Sequence, residues 1–240
     1  MLPVTYRGGF LMTEARIKSE PVVYVVDDDP QTCRAVAELV HTFGHQVRLF
    51  ESSKEFLDNV DESRPGCVVL DLRLPGLDGM EVHQRLLQRG IALPVVVLTG
   101  YANTSTTVKS LRNGAVTVLE KPFRDDELWG YVQEALQRSE KEVQRKHHIA
   151  SLESRLKRLA PQDRSVLKLM LAGCKNRSIA KRLDVSLRTV ENRRRRVFEV
   201  MRADSVAQLT RMVVEFEHNL LPNDGLEDSW LTLPFEKMAG

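Results

Sequence analysis

Cysteine is scarce in this 240-residue chain: Cys33, Cys67 and Cys174 are odd in number and far apart. Without paired spacing they offer neither a disulfide framework nor a Cys-rich zinc site, and a reducing cytoplasm is the expected setting. Long apolar runs are missing too. None approaches the roughly 20 residues that a membrane-spanning helix needs, so no membrane partner is expected. The first twenty residues carry Arg7, Arg16 and Lys18 but no sustained apolar core or small-residue cleavage site, and are not expected to act as a secretory leader. Net charge is also small, with 35 Lys and Arg against 33 Asp and Glu.

That balance hides an uneven distribution. Residues 1–140 hold 15 basic and 20 acidic side chains, residues 141–220 hold 19 and 9, and the tail holds 1 and 4. The middle segment, at net +10, has the electrostatic footprint of a polyanion binder. On composition alone a solvated basic face explains it equally well. A length of 240 residues with 42% hydrophobic and 28% charged residues suits two small domains, each with its own core.

Two textures follow one another along the chain. From Pro21 to about Arg138, short apolar runs (Val22–Val26, Val47–Phe50, Cys67–Leu70, Pro94–Leu98, Ala115–Leu119) alternate with helical patterns. Several runs are continuous rather than alternating, as in strands covered on both faces. Five strand–helix repeats predict an α/β fold, a parallel sheet with helices on both sides. After Asp125 the pattern turns helical. Ile149, Leu152, Leu156 and Leu159 have seam-like spacing, which fits either a helical linker pairing with its copy or a plain solvated one.

Candidate chemistry sits at the strand ends, where open parallel sheets bind ligands. The first strand ends in Asp27, Asp28 and Asp29, the third in Asp71, the fourth in Thr99 and Gly100, and the fifth in Lys121 and Pro122. Such a sheet gathers carboxylates, a hydroxyl and an ammonium. Clustered carboxylates repel unless a cation joins them, and a hard oxygen set favours magnesium. Any one Asp after a strand could simply cap the next helix; agreement at four strand ends argues for a site.

Val25-Val26-Asp27-Asp28-Asp29-Pro30, Leu70-Asp71 through Pro75-Gly76-Leu77-Asp78-Gly79, Leu98-Thr99-Gly100 and Glu120-Lys121-Pro122-Phe123 together resemble the signature set of receiver domains, over residues 21–140. The resemblance implies a flavodoxin-like five-stranded sheet. It further implies that Asp71 is the phosphoacceptor, attacking a phosphohistidine on a sensor histidine kinase. By the same resemblance Asp27, Asp28, Asp71 and the backbone carbonyl of Arg73 would hold Mg2+. Thr99 and Lys121 would bind the phosphoryl oxygens, Pro122 would follow a cis peptide, and Asp29 would be auxiliary. One position departs from the pattern: Val118 stands where the family commonly has an aromatic ring that swings with the threonine, and strand packing is its expected role.

The basic segment predicts four helices, Gln162–Ala172, Asn176–Leu183, Arg188–Met201 and Ser205–Phe216, with Gly173 closing the first and Ser186 capping the third. Arg193, Arg194, Arg195 and Arg196 in the third cannot enter a core unpaired. Leu159-Ala160-Pro161-Gln162-Asp163, Leu171 through Leu183, and Ser186 through Arg193 are similar to the LuxR/FixJ-type helix-turn-helix domain. That similarity implies double-stranded DNA as partner. Glu191, Asn192 and Arg195 fall where the family touches bases, and Arg188, Thr189 and Arg196 suit phosphates. Arg193 departs from a usual histidine and Asp163 from a usual glutamate.

The chain is therefore read as a tail over 1–19, a receiver domain over 20–140, a helical linker over 141–158, a DNA-binding domain over 159–217 and a tail over 218–240. It is expected to be a non-enzymatic, cytoplasmic response regulator that forms a homodimer on phosphorylation through the fourth helix, fifth strand and fifth helix. Two other readings fit parts of the sequence. A haloacid-dehalogenase-type phosphatase would use Asp27 and Asp29, but wants Thr or Val where Gln31 stands. A regulator whose receiver works without phosphorylation draws support from Val118. Met12 is a reasonable alternative translation start, and Trp230, Leu231 and Phe235 are docking candidates in a tail otherwise expected to be disordered.

Overall fold

The computed structural model describes residues 20–61, 64–101 and 104–220, so Met12 and the C-terminal docking candidates lie outside the described residues. The chain divides between Gln144 and Arg145 into two compact units.

The first unit is built on strands β1 (Val22–Val26), β2 (Gln46–Phe50), β3 (Gly66–Asp71), β4 (Val95–Thr99) and β5 (Thr117–Glu120). All pairings are parallel, in the order β2-β1-β3-β4-β5. This is the predicted doubly covered sheet, and it explains why β1, β3 and β4 read as continuous apolar runs. Alternate residues go to opposite faces. Val22, Tyr24 and Val26 pack with Phe56 and Leu57 of helix α2 (Ser53–Asn59) and Val82 and Leu86 of α3 (Gly79–Gln88). Val23 and Val25 pack with Val36 and Val40 of α1 (Pro30–Thr42) and Leu128 and Val132 of α5 (Asp125–Arg158). β2 lies at the sheet edge and leaves Leu49 exposed. The fifth strand starts two residues later than its apolar run, because Ala115 still belongs to the turn after α4 (Thr104–Arg112), its N–H bonded to the Ser110 carbonyl.

The second unit contains α6 (Pro161–Leu171), α7 (Asn176–Arg182), α8 (Leu187–Met201) and α9 (Val206–Leu220). The four predicted helices are all present, within a few residues at each end. Gly173 closes α6 at φ +72°, and Ser186 caps α8 by accepting from Thr189 N–H. The seam-like positions before α6 differ from both expectations. Leu152, Leu156 and Leu159 are 0%, 5% and 2% exposed and pack with Val166, Met170, Leu209 and Phe216, with Ile149 half-buried beside them. These turns are a wall of the second unit's own core, neither a solvated linker nor a free pairing surface. The apolar spacing was real, but the partner it served lay further along the same chain.

Candidate functional site

Parallel strands point their carboxyl ends to one rim, and the residues singled out at the strand ends meet there. One carboxylate oxygen from each of Asp27, Asp28 and Asp71 lies within 4.8 Å of the others. Lys121 Nζ donates to Asp27 Oδ2 at 2.7 Å and to Asp71 Oδ2 at 2.8 Å. The second oxygens are also held: Asp27 Oδ1 accepts from the Asp29 N–H, and Asp71 Oδ1 from the Arg73 N–H, each at 3.0 Å. Asp27 is fully buried, Asp71 keeps 6% of its surface, and Asp28 is exposed. Thr99 at the end of β4 is buried, its hydroxyl donating to the Tyr101 carbonyl and accepting from the Tyr101 N–H. The Lys121–Pro122 peptide is cis, as the resemblance implied.

The three consecutive aspartates have separate fates. Asp29 is the N-cap of α1, accepting from the N–H groups of Gln31 and Thr32 and from the Thr32 hydroxyl. The Thr32 hydroxyl and the Gln31 N–H hold its carboxyl below the usual range. With Asp29 engaged there, only Asp27 of the Asp-x-Asp pair that the phosphatase alternative requires belongs to the cluster.

Burial pushes the Asp27 carboxyl above its ordinary range, and the bonds from Lys121 and the Asp29 N–H offset this only in part. Burial works against the Lys121 charge, but the two carboxylates outweigh it and raise the ammonium above its usual value. Three carboxylates facing one ammonium leave an excess of negative charge on hard oxygen donors, a set that fits a divalent cation such as magnesium.

Gly79, the last residue of the Pro75–Gly79 motif, has a steric task here. A Cβ at this position would lie 2.3 Å from the Asp71 carbonyl oxygen and 2.9 Å from Leu72 Cα. Glycine therefore lets the start of α3 close on the loop that carries Asp71, and its N–H donates to the Leu72 carbonyl at 3.0 Å. Val118 is half-buried against the sheet core, the strand-packing role expected of it.

In the second unit, α8 buries Val190, Val197 and Met201 and exposes Arg188, Glu191, Asn192, Arg195 and Arg196. Thr189 is half-buried, its hydroxyl 2.8 Å from that of Ser186 within the cap. The four arginines separate. Arg193 and Arg194 are half-buried, with the Arg194 guanidinium 5.9 Å from the Phe198 ring centre, while Arg195 and Arg196 project outward. Asp163, at 4% exposure, faces Arg196. No helix among the described residues is long and apolar enough to cross a membrane.

Comparison with known proteins matches both units. Residues 23–133 fit the family model of the response regulator receiver domain, and residues 157–213 that of bacterial regulatory proteins of the luxR family. The chain is 36% identical over 207 residues to nodulation protein W of Bradyrhizobium diazoefficiens, covering 86% of this chain and 90% of that one. It is 34% identical over 192 residues to the transcriptional regulatory protein FixJ of the same organism, covering 80% and 94%. Among solved structures, the response regulator StyR aligns with a TM-score of 0.77 at 29% identity, over 82% of this chain and all of that one. Full-length FixJ from B. japonicum aligns with a TM-score of 0.50 at 32% identity, over 84% and 98%.

Proposed function

The chain belongs to the two-component response regulators that join a receiver domain to a LuxR-type DNA-binding domain and act as transcription factors, and on that footing we propose that Asp71 is its phosphoacceptor. Members of this family receive a phosphoryl group from a histidine kinase and bind DNA, and receiver domains generally bind Mg2+.

The observation carrying the assignment is the position of Asp71: at the end of β3, bonded to Lys121 and within 4.8 Å of the Asp27 and Asp28 carboxylates. An Asp71 oxygen attacks the phosphorus of a phosphohistidine. The new O–P bond forms as the P–N bond to the imidazole breaks, and the imidazole nitrogen keeps the electron pair. Asp27, Asp28, Asp71 and the Arg73 carbonyl would hold Mg2+, which supplies positive charge against the transferring phosphoryl group. Lys121 pairs with one phosphoryl oxygen. Thr99 exchanges its bond to the Tyr101 carbonyl for another phosphoryl oxygen, and with Val118 in place of a ring the switch runs through Thr99 and α4.

Receiver function is assigned to residues 20–140 and DNA binding to the second unit, whose core includes Leu152 and Leu156 of α5 and whose last described helix, α9, runs to Leu220. Arg188, Thr189, Glu191, Asn192, Arg195 and Arg196 are the DNA-contacting set, with Glu191, Asn192 and Arg195 toward bases. Phosphorylation favours a homodimer through α4, β5 and α5, a face that exposes Val108 and Leu111. The buried free thiols of Cys33 and Cys67 and the DNA partner suit the cytoplasm.

Incubation with a small phosphoryl donor and Mg2+, read by intact mass, tests the assignment. One added phosphoryl group is expected on the parent chain and none on Asp71→Asn. Equal labelling of both would remove Asp71 from the role. An Asp71→Ala chain that regulates transcription unaltered would favour control without phosphorylation.

A further inference from the structure

Asp163 is a charge that the fold alone does not explain. It lies in the first turn of α6, 4% exposed, and its Oδ2 is buried without a hydrogen bond. The α6 N-cap is Ala160, and no side chain caps that end. A buried carboxylate left without a hydrogen bond is unfavourable unless a cation compensates. The cation is Arg196 of α8, whose Nε stands 3.4 Å from Asp163 Oδ2 while 65% of its side chain remains exposed. The terminal nitrogens of Arg196 have no acceptor among the described residues.

We propose that Asp163 is a positioning residue for DNA binding: it holds the Nε edge of Arg196 so that the free Nη edge faces outward to take a backbone phosphate. The inference rests on the DNA-binding reading of α8 and adds a residue that touches no DNA itself. A guanidinium donates along more than one edge, so one edge can be anchored on a carboxylate while another binds an oxyanion. The anchor is fixed by its burial in α6. Arg196 shares the exposed side of α8 with Arg188, Asn192 and Arg195, so an outward Nη edge joins the surface the other contacts form. The contact is to phosphate, not to a base. It therefore raises affinity for any duplex and adds to the salt dependence.

The test uses the full chain, with Mg2+ and beryllofluoride, and a fluorescent DNA duplex of scrambled sequence titrated by anisotropy at several salt concentrations. Each phosphate contact contributes about 0.9 to the slope of log affinity against log salt. Loss of one contact per chain thus makes a fourfold rise in salt about 3.5-fold less damaging to affinity. Asp163→Asn and Arg196→Gln are each expected to lower the slope by that amount. The double variant should go no lower than either single one, and Asp163→Glu should restore the parent slope. If Asp163→Asn lowers only thermal stability and keeps the slope, Asp163 is structural and the proposal fails. Should Asp163→Asn not fold, Arg196→Gln decides, because its side chain is exposed: an unchanged slope overturns the proposal. A parent chain that shows no salt-dependent binding would instead overturn the DNA-binding reading itself, and this inference with it.

Discussion

Replacing Lys121 by Met probes the electrostatics of the acidic rim. Lys121 Nζ sits 2.7 Å and 2.8 Å from the Asp27 and Asp71 carboxylates, with only 21% of its side chain exposed and 1% and 9% of theirs. At an effective dielectric constant of about 20, each contact is worth about 6 kcal/mol of gross attraction. Desolvation of the three groups cancels most of this, and removing one partner of a buried pair typically costs about 3–5 kcal/mol. The partial exposure of Lys121 places this case near the lower figure, about 3 kcal/mol, which for a unit of this size is a fall in Tm on the order of 10 °C. The deficit should shrink when a dication is supplied, since the unpaired carboxylates bind it more tightly than they do in the parent. A ligand at a hundred times its Kd stabilises by about 2.7 kcal/mol. Urea unfolding followed by circular dichroism, in chelator and in excess magnesium, measures both quantities. A deficit below about 1 kcal/mol in chelator, or one that magnesium leaves unaltered, would refute the electrostatic reading of the rim.

Three further outcomes are expected. His83 is buried, with Nδ1 unpaired, and burial lowers its pKa, so the folded chain disfavours its charged form while the unfolded chain takes up a proton near pH 6.5. Its effect on stability is absent above that pH and becomes a loss as pH falls below it; His83→Met should therefore flatten the decline in urea midpoint between about pH 7 and pH 5. Gly79→Ala forces a Cβ to within 2.3 Å of the Asp71 carbonyl and should cost about 2 kcal/mol or more in urea unfolding, with slower phosphoryl uptake at Asp71; unchanged stability and uptake would show that the loop yields freely. Arg195→Ala should relax the sequence preference of the bound DNA, read by selection from a random duplex pool, by about 1–3 kcal/mol at the affected base pair. A uniform loss across all sequences would make Arg195 a phosphate contact instead.

The sheet and its rim were legible because their determinants are local. A strand covered on both faces must be apolar throughout, and a polar residue at its carboxyl end marks the rim, which is how Asp71, Thr99 and Lys121 could be picked out one strand at a time. The division of labour among Asp27, Asp28 and Asp29 was less accessible, because adjacent aspartates look alike until the first turn of α1 claims one of them as its cap. Gly79 stood in plain sight, but its reason depends on the backbone of Leu72 passing close by. The separation of the four arginines on α8 could have been drawn from helical spacing, since Val190 and Val197 fix the inward side. Nothing in the spacing announced that Asp163 would face Arg196, as that meeting joins two helices across a core. The apolar stripe of Ile149, Leu152, Leu156 and Leu159 was ambiguous for a related reason: periodicity reports that a stripe is buried, not by what.

Leu152 is fully buried against residues of α6 and α9, with Ile149 and Leu156 adjoining it. A fragment cut to begin at Leu159 would therefore leave its other helices with an open flank. Each lost leucine forfeits about 1.5–3 kcal/mol of burial, much of what keeps so small a body folded. Excision ahead of Ile149 keeps the flank closed, and the extra turns belong with the DNA-reading half however the sequence families draw their borders.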